Sequence, residues 1–80
     1  MKTTKIYLAA ALLSLGAGLD YVDKSDPRHM EFCLIYSAPF AEEDEWFERN
    51  LQEWENKTLT VNAVSYMDSL QRLKSEVHRA

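Results

Sequence analysis

One cysteine, two glycines and two prolines in 80 residues are small numbers, and each scarcity removes a class of protein. Cys33 alone cannot close an internal disulfide. A secreted domain this small usually needs such staples, so the lone thiol favours a reducing compartment. Gly16 and Gly18 do not amount to a glycine-rich phosphate loop. His29 and His78 are the only imidazoles, and neither zinc-ligand spacing nor a Ser/His/Asp set accompanies them. The apolar stretch Ile6–Leu15 is too short to span a bilayer, so no membrane association is expected. Nine Lys and Arg face thirteen Asp and Glu, a net charge of −4, which is unsuited to a non-specific grip on nucleic-acid phosphates.

What is present suffices for one folded domain over residues 1–80. The apolar fraction is 46%, and two Trp, four Tyr and three Phe provide bulk for a core. That composition argues against disorder, although the length lies near the lower limit for unaided folding.

The first segment has two readings. Lys2 and Lys5, the apolar run from Ile6 and the small residues Gly16-Ala17-Gly18 match a secretory signal with cleavage near Ala17 or Leu19. Against it, cleavage leaves a still smaller chain without disulfides. Thr3 and Thr4 also suit a helix N-cap, and Gly16 or Gly18 its C-terminal stop. The balance favours a retained helix over about 4–15 and a cytoplasmic protein, with secretion as the alternative.

The rest of the chain predicts an α+β fold in the order α-β-β-α-α, a β-hairpin packed against helices. Leu19–Asp23 and Met30–Tyr36 pair as a hairpin over about 19–36, turning at Lys24-Ser25-Asp26-Pro27. Phe32, Leu34 and Tyr36 share one face of the second strand and Cys33 and Ile35 the other, which predicts cover on both sides. Pro39 and the acids behind it mark a helix start. That helix, over about 41–56, buries Phe47, Leu51 and Trp54. A last helix over about 61–77, capped by Thr60 or Asn62, buries Ala63, Tyr66, Met67, Leu70, Leu73 and Val77.

Three stretches carry a family resemblance: Thr4-Lys5-Ile6-Tyr7-Leu8-Ala9-Ala10-Ala11-Leu12-Leu13-Ser14-Leu15-Gly16, then Asp26-Pro27-Arg28 leading into Met30-Glu31-Phe32, then Asp68-Ser69-Leu70-Gln71-Arg72-Leu73-Lys74. In this order they resemble a small uncharacterised family of bacteria and their phages, carried as a domain of unknown function. The resemblance implies that the N-terminal segment belongs to the domain. It implies no activity and no site residues, and the acidic stretch Glu42–Glu48 departs from it.

Candidate functional residues are few. On an extended strand His29, Glu31 and Cys33 point the same way, but no fourth ligand or orienting partner accompanies them, and Cys33 reads as a buried apolar residue. Asn56-Lys57-Thr58 fits the glycosylation pattern and reads more simply as a helix-ending loop. No catalytic residue, cofactor site or metal site is expected, and the chain is not expected to be an enzyme. The strongest signal is charge: from Glu31 to Glu55 there are eight acids against Arg49 alone. Glu42, Glu43, Glu45 and Glu48, with Trp46 as an anchor, are the expected partner-binding residues. Trp46 lies about 100° from Phe47, which leaves it either partly exposed or closing the edge of the core.

These features suggest a non-enzymatic protein-interaction module with a basic partner, and the apolar first helix suggests a homodimer. A narrower form is a phage inhibitor of a host defence nuclease, presenting the acidic helix to a nucleic-acid-binding surface. A nucleic-acid accessory factor using Arg72, Lys74 and Arg79 is a further alternative.

Overall fold

A computed structural model describes residues 1–38 and 42–79. Its architecture is α+β, with three helices and a three-stranded antiparallel sheet. The elements are β1 (Lys2–Thr3), α1 (Ile6–Ser14), β2 (Gly18–Asp23), β3 (Glu31–Ile35), α2 (Glu43–Glu55) and α3 (Ala63–Val77). The expected order of five elements holds, with a short strand added in front.

The boundaries of α1 follow from hydrogen-bond needs at its ends. It begins at Ile6, two residues later than its pattern suggested, because Met1–Thr3 is used by the sheet. The Met1 ammonium donates to the Leu34 carbonyl (2.9 Å), and the Leu34 N–H donates to the Met1 carbonyl (2.7 Å). This pairing covers backbone groups of β3 that would otherwise form an open edge. Thr3 therefore caps nothing on the helix. Its hydroxyl accepts from the Lys5 N–H, and Lys5 is the N-cap residue. At the other end Gly16 has φ +121°, and two bonds close the helix: Gly16 N–H to Leu13 O and Ala17 N–H to Leu12 O. That reverse turn requires the left-handed region, which glycine adopts without a Cβ penalty.

The sheet order is β1-β3-β2, with both outer strands antiparallel to β3. Since β1 and β2 thereby run parallel, α1 is the crossover that connects them. An irregularity between Leu19 and Tyr21 shifts the register, so Leu19 faces Leu34, while Tyr21 faces Cys33 and Val22 faces Phe32. The extra residue returns both Leu19 and Val22 to the core side of the sheet.

The core lies between this sheet face and the helices. Leu8, Ala9, Ala10 and Leu12 of α1, Phe32 and Leu34 of β3, Trp46 and Phe47 of α2 and Leu73 of α3 form one buried cluster. α1 is the middle element: Ala9, Ala10 and Leu12 are wholly buried. α3 packs on α1 as its main helix contact. The apolar run at the start of the chain is thus the centre of the fold. No helix among the described residues is long and apolar enough to cross a membrane.

Two expectations about cover are corrected. Among the described residues the second face of β3 carries no layer: Ile35 is 47% exposed, and Cys33 is buried on that face, with Lys2 and Tyr21 opposite it on the flanking strands. On α3 the buried stripe is narrower than its apolar pattern. Leu73 is fully buried and Tyr66, Leu70 and Val77 are half-buried, but Ala63 is exposed and Met67 is 66% exposed. One side of this helix meets α1, so only residues within that arc find a partner. The helix starts at Ala63, where the Asn62 side chain accepts from the Ser65 N–H (3.0 Å).

Candidate functional site on the acidic helix

α2 folds as its pattern requires, with one reassignment. Phe47, Leu51 and Trp54 turn inward as expected, and so do Trp46 and Asn50. Trp46, Asn50 and Trp54 stand four residues apart and form one row, with Phe47 and Leu51 forming the next. Asn50 enters this row because its amide donates to the Trp46 carbonyl (2.8 Å), which satisfies a polar group that burial would otherwise penalise.

Trp46 is only 7% exposed. Its ring stacks on Tyr36, with centroids 4.0 Å apart and planes 7° from parallel, and meets the Phe47 ring edge-on at 5.0 Å and 81°. The edge-on arrangement suits the ring quadrupoles. Of the two sequence readings of Trp46, the closing of the core edge is the one that holds. It is not an exposed anchor.

Glu43 also turns toward the body of the protein. One of its carboxylate oxygens accepts the Tyr36 N–H (3.1 Å), just past the end of β3. Glu43 and Trp46 therefore tie the first turn of α2 to the end of the central strand. The expected helix start at Pro39, with Phe40 and Ala41 behind it, lies outside the described residues. Glu42 is the N-cap residue; its carbonyl accepts the Trp46 N–H (3.0 Å), while its side chain makes no capping bond and is exposed.

The outward face is formed by other acids. At about 100° per residue, Asp44, Glu48 and Glu55 fall within about 40° of one another, and Glu45 lies about 60° beyond Glu48. All four are exposed. Arg49 stands one helical turn from both Glu45 and Glu53, yet among the described residues no cation forms an ion pair with any carboxylate of α2. Of the five residues expected to bind a partner, the structure places Glu45 and Glu48 on this strip, Glu42 at its start, and Glu43 and Trp46 elsewhere. Asp44 and Glu55 complete the strip. Their spacing from Glu48, four and seven residues, was a helical signal available in the sequence.

Glu43, Asp44 and Glu45 occupy the first turn, where the positive end of the helix dipole stabilises negative charge. The opposite end closes with Lys57 at φ +60°, as Lys57 N–H bonds to Trp54 O and Thr58 N–H to Glu53 O. Asn56-Lys57-Thr58 is thus the stop of α2, with the strained position at Lys57 rather than Asn56.

The remaining candidates do not assemble. Glu31 and Cys33 share the outer sheet face, but His29 precedes β3 in an exposed turn, its N–H bonded to the Asp26 carbonyl (3.1 Å). No group of three metal-ligating side chains comes together among the described residues. Arg72 and Lys74 diverge by about 160° around α3, and Arg79 pairs with Glu76 (3.3 Å), so these cations form no single patch. Across the outer sheet face Tyr21 first, then Cys33, hold the Lys2 ammonium above its ordinary value, and the Cys33 thiol raises the Tyr21 phenol. Hydrogen bonds from the Ser25 hydroxyl and N–H (2.7 and 3.0 Å) hold Asp23 below the usual carboxylate range. Burial raises the Tyr66 phenol, with Tyr7 adding to it. Compared with protein-family models, with curated proteins and with solved structures, the chain finds no match.

Proposed function

We propose that this protein is a small, non-enzymatic cytoplasmic interaction module that engages a basic partner protein through the outer strip of α2. The supporting observation is the strip itself: Asp44, Glu45, Glu48 and Glu55 are exposed on one side of a helix whose other side is anchored by Trp46 and Phe47. Rigid anchoring matters because a fixed array of like charges orients an approaching surface of opposite sign and speeds encounter. A partner that binds nucleic acid has such a basic surface, which makes nuclease inhibition the narrow form of this reading. Direct binding of nucleic acid runs against the net charge.

The test is affinity capture with the wild-type chain and with Glu45→Lys/Glu48→Lys/Glu55→Lys. The expected result is a partner retained by the wild type, released as salt rises and lost by the triple variant. The same partner held equally by both would refute the reading.

Self-association is a second reading, and a different surface supports it. The apolar side of α1 is consumed by the core, but Val64 and Met67 of α3 and Tyr7 of α1 are 69%, 66% and 57% exposed. Light scattering at high micromolar concentration, expected to give a dimer for the wild type and a monomer for Val64→Glu/Met67→Glu, checks it. A wild type that stays monomeric rules it out.

A further inference from the structure

The β2–β3 turn, the start of α1 and the last turn of α3 form the walls of a wide-open surface cavity that the acidic helix does not touch. Its volume is about 430 Å³, within the roughly 300–1,000 Å³ typical of small-molecule sites. Ile6, Met30, Phe32 and Val77 supply an apolar lining, with Phe32 only 3% exposed, while Arg28 and His29 line it from the turn.

Hydrogen bonds hold the walls in place. Lys24 crosses from the turn to α3 and donates to the carbonyls of Glu76 (2.7 Å) and Arg79 (2.8 Å), a favourable placement for an ammonium at a helix C-terminus. Within the turn, Asp26 accepts the Arg28 N–H on its carboxylate (3.0 Å) and the His29 N–H on its carbonyl (3.1 Å). The nearby carboxylates are accordingly engaged: Asp26 by the Arg28 backbone, Asp23 by Ser25, and Glu76 by Arg79. Among the described residues the Arg28 guanidinium and the His29 ring have no hydrogen-bonding partner, and no acid lines the cavity.

We infer that this cavity binds a small aliphatic carboxylate. A planar guanidinium without a partner matches a carboxylate through two parallel N–H···O bonds, and the apolar lining removes an alkyl tail from water. Both halves are needed. An inorganic anion leaves the apolar lining uncovered, and a neutral alcohol leaves the guanidinium unmatched. This site is independent of the α2 surface, and its occupancy neither requires nor excludes a protein partner there.

The probe is sodium octanoate, titrated into the full chain and followed by the methyl resonances of Ile6, Met30 and Val77, with octanol and sodium acetate as comparisons. The expected result is a saturable shift of these methyls with octanoate, about tenfold weaker binding of octanol, and no saturation with acetate. Arg28→Gln, an exposed substitution, is expected to weaken octanoate about tenfold and leave octanol unchanged, with resonances outside the cavity unmoved. Any of four results would overturn the assignment: no saturable shift at millimolar octanoate, equal affinity for octanol, octanoate affinity unchanged in Arg28→Gln, or shifts confined to other apolar surfaces such as Trp54 and Leu59.

Discussion

Replacing Trp46 separates a core residue from an interface anchor more sharply than any other change. A Trp side chain buries roughly 150–250 Å². At about 25 cal/mol per Å², that is a stabilisation of about 4–6 kcal/mol for a residue as enclosed as this one, which is only 7% exposed. Compactness of the unfolded chain and partial collapse of the site reduce it, so Trp46→Ala should cost about 3–5 kcal/mol. For 80 residues the whole stability is on the order of 4–12 kcal/mol, so the alanine variant stands near unfolding. Trp46→Leu and Tyr36→Leu keep apolar bulk and isolate the ring stack. In urea unfolding, the pair taken singly and together should show a coupling of about 0.5–1.5 kcal/mol, the excess that aromatic pairs show over area burial. A Trp46→Leu protein as stable as wild type, with no coupling to Tyr36, would mean that the stacked arrangement is not what holds α2. Loss of partner capture by a fully stable Trp46→Leu protein would restore the anchor reading.

Other expectations follow from single contacts. Lys57→Gly relieves a non-glycine residue from the left-handed region and should stabilise by on the order of 1 kcal/mol, read as a melting temperature higher by about 4–8 °C. Lys24→Met removes both bonds to the end of α3 and should speed amide exchange at His78 and Arg79 with a global loss under about 1 kcal/mol; unchanged exchange there contradicts the contact. The folded-state pKa of Asp23 is depressed, so its contribution to stability is whole above the ordinary carboxylate value of about 3.9 and is lost as pH falls through the lower folded value. An NMR titration should place its midpoint below that of an exposed Asp, and Ser25→Ala should move it part of the way back, since the backbone N–H still donates. Cys33 is 5% exposed, so its reaction with a thiol reagent should follow unfolding; a fast reaction in the native protein would contradict its burial.

How far these residues could be read in advance depends on whether their signal was local. The stop of α1 at one of Gly16 and Gly18, the cap of α3 at one of Thr60 and Asn62, and the antiparallel pairing of β2 with β3 were legible, because each rests on neighbouring residues and short-range hydrogen bonds. The inward stripe of α2 was legible except at Trp46 and Asn50. Asn50 is polar, and only its bond to the Trp46 carbonyl explains why it is buried. The acids were visible as a cluster, but their division was not. Glu43 differs from Glu45 because the end of β3 lies beside it.

The amino-acid pattern by itself determined the α+β class, the number of principal helices and the apolar character of residues 6–15, since periodicity and capping act within a few residues. Tertiary structure alone decided that Lys2–Thr3 is a strand, that Met67 lies outside and Trp46 inside, and that Arg28 and His29 line a cavity beside Ile6, Met30, Phe32 and Val77. Each of those outcomes depends on which element arrives from a distant part of the chain, and burial is a property of that pairing rather than of the residue.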